Sequence, residues 1–267
     1  MMGQDAFYHI SRVTLGVDPA TPSSVAHTRS FALAEIDRLL RNSGHTLDHF
    51  HLPQPDTATM TMLQNRLLMD EQAYDPDVLS TEASDQLSKL NPNQKHIYDA
   101  ILHSVNNNIC QTFFVYGFGG TGKTFLWNSL LNSVRSEGKI ALAVASSGIA
   151  SLWLPGGRTP HSRFRIPLDI HEHSLYCIKK NTHLAELVQE TSLIIWDEAP
   201  VNHKHCFEAL DRTLKDIMAS KDSSLSTKQF GGITVALGEA FRQTLPVLPN
   251  ARKQEILSAS IRRSHLW

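Results

Sequence analysis

Short runs of apolar residues recur along the second half of the chain, and each run stops at a turn or a polar pair. The runs span residues 112–116, 139–145, 193–196 and 233–237 and are rich in β-branched, aromatic and aliphatic side chains. A nearly continuous apolar run is typical of a strand that is covered on both faces. Between these runs, residues 125–134 and 203–218 place apolar side chains at helical spacing. The pattern predicts an α/β fold, with a mostly parallel sheet flanked by helices.

The first third of the chain carries helical patterns but no strand pattern. Residues 1–27 combine prolines and serines without a sustained period and predict a flexible tail. Apolar positions from Thr28 onward predict a first helix, followed by a helix over 57–71 and another that begins at Asp75-Pro76. Residues 28–90 are therefore a predicted helical preface, which packs against the following domain or binds a partner.

The sheet domain is predicted over residues 91–267 and begins with a capped helix. Pro92 follows Asn91, and Gln94 stands three positions after Asn91, which is the capping-box arrangement. Gln94 is either such a capping residue or, through an amide that donates and accepts at once, a residue that reads an adenine edge.

Composition narrows the class of protein. The formal net charge is −1 over 267 residues, so a nucleic-acid contact has to come from a local groove and not from overall charge. Cys110, Cys177 and Cys206 lack C-x-x-C spacing and predict a reducing, intracellular compartment. No apolar run approaches the roughly 18 residues of a membrane span, so no membrane contact is predicted.

A glycine-dense turn joins the first apolar run to the helical pattern after it. Residues 117–124 read Gly-Phe-Gly-Gly-Thr-Gly-Lys-Thr and match the phosphate-binding P-loop, G-x-x-x-x-G-K-[ST]. Glycines allow successive backbone N–H groups to turn toward a polyanion. Lys123 adds a charge at the β- and γ-phosphates, and Thr124 offers a hydroxyl to Mg²⁺. The predicted nucleotide-binding residues are Gln94, Gly117, Gly119, Gly120, Thr121, Gly122, Lys123 and Thr124.

The same glycines also satisfy the dinucleotide pattern G-x-G-x-x-G. That motif requires an acidic residue at the end of the next strand, where it holds a ribose hydroxyl. The next predicted strand ends in Ser146-Ser147 instead. The P-loop interpretation is therefore favoured over the dinucleotide one.

The third apolar run ends in two adjacent carboxylates, Asp197 and Glu198. Downstream of a P-loop, such a pair is typical of a site in which the first carboxylate holds Mg²⁺ through the water shell of the ion. The second carboxylate then orients and deprotonates the attacking water. Asp197 and Thr124 are therefore the predicted metal residues, and Glu198 is the predicted base.

Two further segments follow predicted strands at the edge where ligands bind to open α/β sheets. Arg163, Phe164 and Arg165 combine charge with an aromatic ring, which suits single-stranded nucleic acid. The alternative is a solvated charge pair around a buried phenylalanine, and local sequence alone favours it. After the last strand, Gln243 is a candidate sensor of the γ-phosphate, and Arg242 is a candidate contact for phosphate or nucleic acid.

Taken together, these residues resemble the Pif-one-like DNA helicases of superfamily 1B, and within them the plant and Helitron-associated branch. The match runs from about Thr28 to Trp267. Its most specific parts are residues 90–94, the P-loop, 147–150 with 161–164, 196–199 and 241–246.

The resemblance implies an ATP-driven DNA helicase of 5′-to-3′ polarity with a RecA-like P-loop NTPase fold. By this resemblance Gln94 reads adenine, and Gln243 senses the γ-phosphate. Mg-ATP is bound and hydrolysed by Lys123, Thr124, Asp197 and Glu198. Single-stranded DNA is contacted by His161, Ser162, Arg163, Phe164 and Arg242. The resemblance also implies a nuclear location and a part in DNA repair, DNA recombination and telomere maintenance.

The chain departs from the family pattern in two ways. The family carries Gly-Asp before Phe-Arg-Gln, whereas this chain has Glu239-Ala240, at a position that couples ATP state to DNA. The chain also ends where a second RecA-like lobe is expected to begin, so residues 91–267 correspond to the first lobe alone. The alternative function is therefore a non-catalytic nucleotide- or DNA-binding module from a truncated helicase.

Overall fold

The computed structural model describes residues 29–30, 32–34, 36–37, 40, 46–55, 65–167, 169–176, 178–180, 182–239, 245–246, 248 and 251–267. The chain divides into two compact units, Met1–Arg66 and Leu67–Trp267. In the first unit, the described residues between 29 and 40 are helical, and Leu47–Phe50 form a 3₁₀ helix. The predicted tail over 1–27 and the first part of the predicted helix over 57–71 lie outside the described residues. The division between the units falls inside the predicted helical preface.

A parallel sheet forms the centre of the second unit. Its strands are β1 (Thr112–Tyr116), β2 (Ile140–Ala145), β3 (Thr191–Asp197) and β4 (Thr234–Glu239). They lie in the order β1-β4-β3-β2, and every pairing is parallel. The register pairs Tyr116 with Glu239 and Ala145 with Asp197, so the carboxyl ends of the strands share one edge. The α/β fold with a parallel sheet is confirmed.

Helices cover both faces of this sheet. In chain order they are α1 (Arg66–Gln72), α2 (Pro76–Lys89), α3 (Pro92–Asn106), α4 (Lys123–Ser136), α5 (Gly148–Ser151), α6 (Pro160–Phe164), α7 (His183–Glu190), α8 (Lys204–Met218) and α9 (Lys253–Ala259). Short 3₁₀ helices lie at Ala199–Val201, Ser223–Thr227, Gln229–Gly232 and Ile261–Arg263. Among the helices that the structure describes, none has both the length and the apolar character needed to span a bilayer.

Capping side chains fix the starts of α2 and α3. The Asp75 carboxylate accepts a hydrogen bond from the backbone N–H of Asp77, and Pro76 takes the first helical position. At α3, the side chain of Asn91 accepts a hydrogen bond from the backbone N–H of Gln94 at 2.9 Å. In return, the side chain of Gln94 accepts one from the backbone N–H of Asn91 at 3.0 Å. These bonds satisfy N–H groups that have no partner within the helix. The predicted capping box is confirmed.

The two faces of the sheet present side chains of different size. Toward α3 and α4 the strands present alanines such as Ala141, Ala143 and Ala236, and Trp127 of α4 is fully buried against them. Toward α7 and α8 they present large side chains such as Trp196. Small strand residues let α4 pack close to the sheet, and α2 packs along the outer side of α4. The helix that follows the P-loop is therefore held firmly.

Candidate functional site

The P-loop connects β1 to α4 at the carboxyl edge of the sheet, as its sequence predicts. Gly120 and Gly122 have φ values of 80° and 79°, in the left-handed region that glycine adopts without strain. Gly117 has no space for a side chain, because a Cβ there would lie 2.7 Å from the hydroxyl of Thr121. That hydroxyl donates to the carbonyl of Phe118 at 2.8 Å and closes the turn. The glycines therefore allow a compact loop with its open side at the start of α4.

Lys123 curls back over the P-loop. Its ammonium donates to the carbonyls of Gly117 at 2.5 Å and Phe118 at 3.0 Å. The side chain is half-buried and takes no part in the apolar core. Phosphate oxygens could replace the two carbonyls with little rearrangement, because they too accept hydrogen bonds. Thr124 lies in the first turn of α4 and is exposed.

Gln94 joins the start of α3 to the P-loop. Its amide oxygen serves the capping box, while its amide nitrogen donates to the carbonyls of Thr121 at 3.1 Å and Gly122 at 3.4 Å. Both ends of the amide are therefore engaged with the protein, and the reading of adenine stays a prediction. Gln94 also lines a cavity of about 510 Å³ beside the loop. The other residues around it include Asn91, Asn93, Ile97, Tyr116, Gly117, Gly120, Thr121 and Lys123.

The two carboxylates at the end of β3 lie in contrasting environments. Asp197 is buried, and its Oδ1 has no hydrogen-bond partner among the described residues. An unpaired buried acceptor of this kind costs stability unless water or a cation satisfies it. Glu198 is exposed, and its φ of 53° places a non-glycine residue in the left-handed region. Such local strain is concentrated at functional sites.

Ser146 and Ser147, at the end of β2, hold Glu198 in place. Ser147 Oγ donates to Glu198 Oε2 at 3.1 Å, and Ser146 Oγ donates to the carbonyl of Glu198 at 2.8 Å. The sequence predicts both serines at the end of a strand, but it gives no sign of these bonds to Glu198, the predicted base.

Sheet geometry brings the P-loop and the carboxylates together. Only β4 separates β1 from β3, so the end of β3 lies two strand spacings, roughly 10 Å, from the end of β1. Gly238 of β4 passes so close to Asp197 that a Cβ would lie 2.5 Å from its Oδ1. This glycine makes room for the carboxylate of Asp197, the predicted metal residue, and its part could not be predicted from the sequence because the two residues lie on different strands.

The structure corrects the DNA-contact prediction for Arg163 and Phe164. Phe164 is fully buried and stacks on Trp196, with ring centroids 6.3 Å apart. Arg163 is buried in an ion pair with Glu71 at 2.8 Å. Neither side chain offers a surface to a DNA strand. Glu71 lies 92 positions earlier in the chain, so local sequence could not reveal this pairing.

His161, Ser162 and Arg165 are the exposed members of this segment. Partial burial of the ring lowers the pKa of His161 below its ordinary value of 6.5, so the ring is neutral at pH 7. Arg165 ends the segment in the left-handed region, with φ 53°. The other predicted DNA and phosphate contacts, Arg242 and Gln243, lie outside the described residues, as does Ala240.

The chain is similar to proteins of known family. The family model for PIF1-like helicases matches residues 89–267, more than half of the chain. The ATP-dependent DNA helicase Pif1 of Campylobacter jejuni is 30% identical over 154 residues, which cover 55% of this chain and 31% of that protein. The crystal structure of Pif1 helicase from Candida albicans matches with a TM-score of 0.53 and 28% identity, over 67% of this chain and 37% of that one.

A further match is the Pif1 helicase from Bacteroides in complex with ADP-AlF3 and single-stranded DNA. It has a TM-score of 0.50 and 28% identity, over 63% of this chain and 36% of that one. The present chain thus spans about a third of the length of these relatives. The structural matches bear out the RecA-like P-loop NTPase fold. With its P-loop, its paired carboxylates and a family match over most of its length, the chain belongs to the PIF1-like helicase family.

Proposed function

We propose that the unit over residues 67–267 contains, in residues 91–267, the first motor lobe of an ATP-dependent DNA helicase of 5′-to-3′ polarity. The lobe binds Mg-ATP at the carboxyl edge of the sheet and couples hydrolysis to single-stranded DNA. One observation carries the proposal: along that edge lie the P-loop, the buried Asp197, whose Oδ1 has no hydrogen-bond partner among the described residues, and the exposed Glu198 with its strained backbone.

Phosphate binding falls to the P-loop and to the first turn of α4. Lys123 would exchange the carbonyls of Gly117 and Phe118 for β- and γ-phosphate oxygens, which are charged and form stronger hydrogen bonds. The N-terminus of α4 adds backbone N–H groups and the positive end of the helix dipole. The cavity beside Gln94 has a volume of about 510 Å³, within the usual range for ligand pockets, and would take the base.

The donors at this edge fit Mg²⁺, a hard cation that takes oxygen ligands. Thr124 offers an exposed hydroxyl, and Asp197 Oδ1 is a buried acceptor without a partner among the described residues. These two residues would hold the ion, directly or through its water. When bound, the ion neutralises charge on the phosphates.

Glu198 would accept the proton of the attacking water. Its side chain is exposed at the strand end, where water and the γ-phosphate have access, and the hydrogen bond from Ser147 limits its orientation. A positioned base of this kind typically contributes about 10²- to 10⁴-fold in rate. Gln243 would sense the γ-phosphate, and Glu239-Ala240 would alter the coupling between that sensor and DNA.

Single-stranded DNA would run over His161, Ser162 and Arg165, with Arg242 as a further contact. Exposure of the first three side chains supports this path, and so does the binding of single-stranded DNA by the related Bacteroides helicase. Because His161 is neutral at pH 7, it would act as a hydrogen-bonding group and Arg165 as the cation.

The motifs over 196–199 and 241–246 support a place in the plant and Helitron-associated branch. The same resemblance supports a nuclear location and roles in DNA repair, DNA recombination and telomere maintenance. Microscopy of a fluorescent fusion in plant cells tests the location, and exclusion of the fusion from nuclei would contradict it.

The function is tested by ATP hydrolysis with Mg²⁺, with and without single-stranded oligo-dT. We expect slow hydrolysis that single-stranded DNA accelerates and that a blunt duplex does not. Nucleotide binding without turnover would instead identify a non-catalytic module derived from a helicase. Strand separation is expected to need the part of the relatives that this chain does not span.

A further inference from the structure

A buried cluster of charged side chains lies outside the nucleotide site. It includes Arg163, which belongs to residues 161–165, the candidate DNA segment. The carboxylate of Glu71, on α1, accepts from Arg135 at 3.2 Å and from Arg163 at 2.8 Å. The side chains of all three residues are at most 5% exposed. We call Glu71, Arg135 and Arg163 the buried triad.

The two arginines of the buried triad reach different functional elements. Arg135 lies in the last turn of α4, the helix whose first residues are Lys123 and Thr124. Arg163 lies in α6, beside the exposed His161 and Ser162. Twelve residue steps of helix separate Lys123 from Arg135, which is about 18 Å at 1.5 Å per residue. The Glu71 carboxylate therefore bridges the far end of the phosphate-binding helix and the candidate DNA segment.

Both arginines also clamp the loop that leads into α6. Arg135 donates to the carbonyl of Pro155 at 2.9 Å, and Arg163 donates to the carbonyl of Gly156 at 3.0 Å. The fit is close, because a Cβ on Gly156 would lie 2.6 Å from the Tyr74 hydroxyl and 3.2 Å from Arg135 Nη2. The Tyr74 ring also covers the guanidinium of Arg135, 4.3 Å from the ring centroid. The loop cannot shift without disturbing the buried triad.

The arrangement of the buried triad is not the one that would contribute most to the stability of the fold. It holds two guanidinium groups against one carboxylate, and the Nε atoms of both arginines lack a hydrogen-bond partner among the described residues. Burial lowers the pKa of Arg163, and the neighbouring Glu71 charge offsets only part of that effect. Desolvation makes buried ion clusters weak contributors to stability, and well-packed apolar residues often replace them at no loss. Sites that break such packing rules are often functional.

We propose that the buried triad transmits nucleotide occupancy from the P-loop to the candidate DNA segment, and that Glu71 is the positioning residue that joins the two. The inference rests on the proposed function. Phosphate binding acts on the first turn of α4, the rigid helix carries the displacement to Arg135, and Glu71 passes it to Arg163 and the clamped loop. Coupling between two sites typically changes an affinity by about 5- to 150-fold.

The test compares wild type with Glu71→Gln, which keeps the size of the side chain and removes its charge. The affinity for fluorescent oligo-dT is measured without nucleotide and with saturating Mg-AMP-PNP. For wild type we expect the two affinities to differ by about fivefold or more. For Glu71→Gln we expect a ratio near one, with the nucleotide affinity in the absence of DNA kept within about twofold. Glu82→Gln is the matched control. Glu82, on α2, accepts a hydrogen bond from Asn132 of α4, but it does not belong to the buried triad.

Hydrogen exchange of residues 153–164 gives a readout that needs no DNA. Mg-AMP-PNP should change the exchange of these amides in wild type and in Glu82→Gln but not in Glu71→Gln. If Glu71→Gln fails to fold, Arg163→Lys takes its place, because the lysine side chain ends one bond short of Nη2, the atom that donates to both Glu71 and Gly156. An unchanged affinity ratio and exchange response in the triad variant would overturn the inference. Failure of wild type to bind DNA would contradict the proposed function, and the exchange experiment would still decide whether the triad forms a link.

Discussion

At the scale of single residues, the clearest feature is the contrast between the surroundings of two neighbouring carboxylates. Asp197 is buried with one oxygen unpaired among the described residues, and Glu198 is exposed on a strained backbone. Their identities could be predicted from the sequence, because an apolar strand that ends in Asp-Glu downstream of a P-loop has a known chemistry. Their surroundings could not, since Ser147 and Gly238 reach them from other strands.

Glu198→Gln is expected to keep Mg-ATP affinity and to lower DNA-stimulated turnover by about 10²- to 10⁴-fold, the usual contribution of a general base. The amide keeps the shape of the side chain but cannot accept the proton. Steady-state hydrolysis and equilibrium binding of Mg-ATP measure the two effects separately. A turnover within threefold of wild type would exclude Glu198 as the base.

Gly238→Ala is expected to destabilise the fold by about 1–3 kcal/mol and to weaken binding of Mg-ATP more than of metal-free ATP. The new methyl group would lie 2.5 Å from Asp197 Oδ1 and 3.1 Å from the Trp127 ring, so the carboxylate must move. Gly148→Ala is the control, because its Cβ would meet nothing within 4 Å. Urea denaturation and binding titrations measure the effects, and equal losses in the two variants would argue against the close fit.

At the scale of elements, the strands and helix starts follow closely from the sequence. Continuous apolar runs predict buried parallel strands, and Asp75 and Asn91 predict the starts of α2 and α3, because the physical causes are local. The role of α6 could not be predicted in this way. The resemblance predicts Arg163 and Phe164 as DNA contacts, whereas Glu71 and Trp196, both distant in sequence, pack against them and bury them.

Gln94 links two elements, the start of α3 and the P-loop. These bonds predict how removal of the Gln94 side chain affects nucleotide binding. We expect Gln94→Ala to weaken ATP and GTP binding by the same factor, because the lost bonds go to the carbonyls of Thr121 and Gly122 and not to a base. Asn91→Ala, which removes the reciprocal capping bond, is expected to cost about 1 kcal/mol of stability. A loss confined to ATP in Gln94→Ala would show instead that the amide reads adenine.

Glu208 of α8 accepts a hydrogen bond from Ser264 in the C-terminal segment. Its surroundings predict that the stability of the fold depends on pH. Burial alone would raise its pKa, but hydrogen bonds from His205 and Ser264 outweigh burial and leave the pKa below the ordinary value of 4.5. The ionised form is therefore favoured in the folded chain. Its contribution is complete above about pH 5 and is lost as the pH falls through the lowered folded value.

Glu208→Gln should therefore reduce the free energy of unfolding by about 1 kcal/mol at pH 7 and by less at pH 4. Urea denaturation at the two pH values measures the difference. The surface pair of Glu190 with Lys221 provides the control, and Glu190→Gln should change stability by less than about 0.5 kcal/mol at either pH. A penalty for Glu208→Gln that grows toward pH 4 would contradict the assigned direction of the pKa.

At the scale of the whole molecule, the parallel sheet positions the parts of the candidate site. Its order, β1-β4-β3-β2, places the P-loop at one side of the ligand edge, the carboxylates two strands away and the serines beyond them. The sequence predicts the members of this site because each follows its own strand. It does not predict the buried triad, which depends on how α1, α4 and α6 come together in three dimensions.

The central claim is that this edge binds Mg-ATP through the P-loop, and calorimetric titration of wild type, Lys123→Ala and Lys139→Ala with Mg-ATP tests it most directly. Lys139 is the control, because it pairs with Glu137 and Asn106 away from the P-loop. We expect wild type and Lys139→Ala to bind with equal affinity, and Lys123→Ala to show no measurable binding while keeping the circular dichroism of wild type. Unchanged Mg-ATP affinity in a folded Lys123→Ala would contradict the claim.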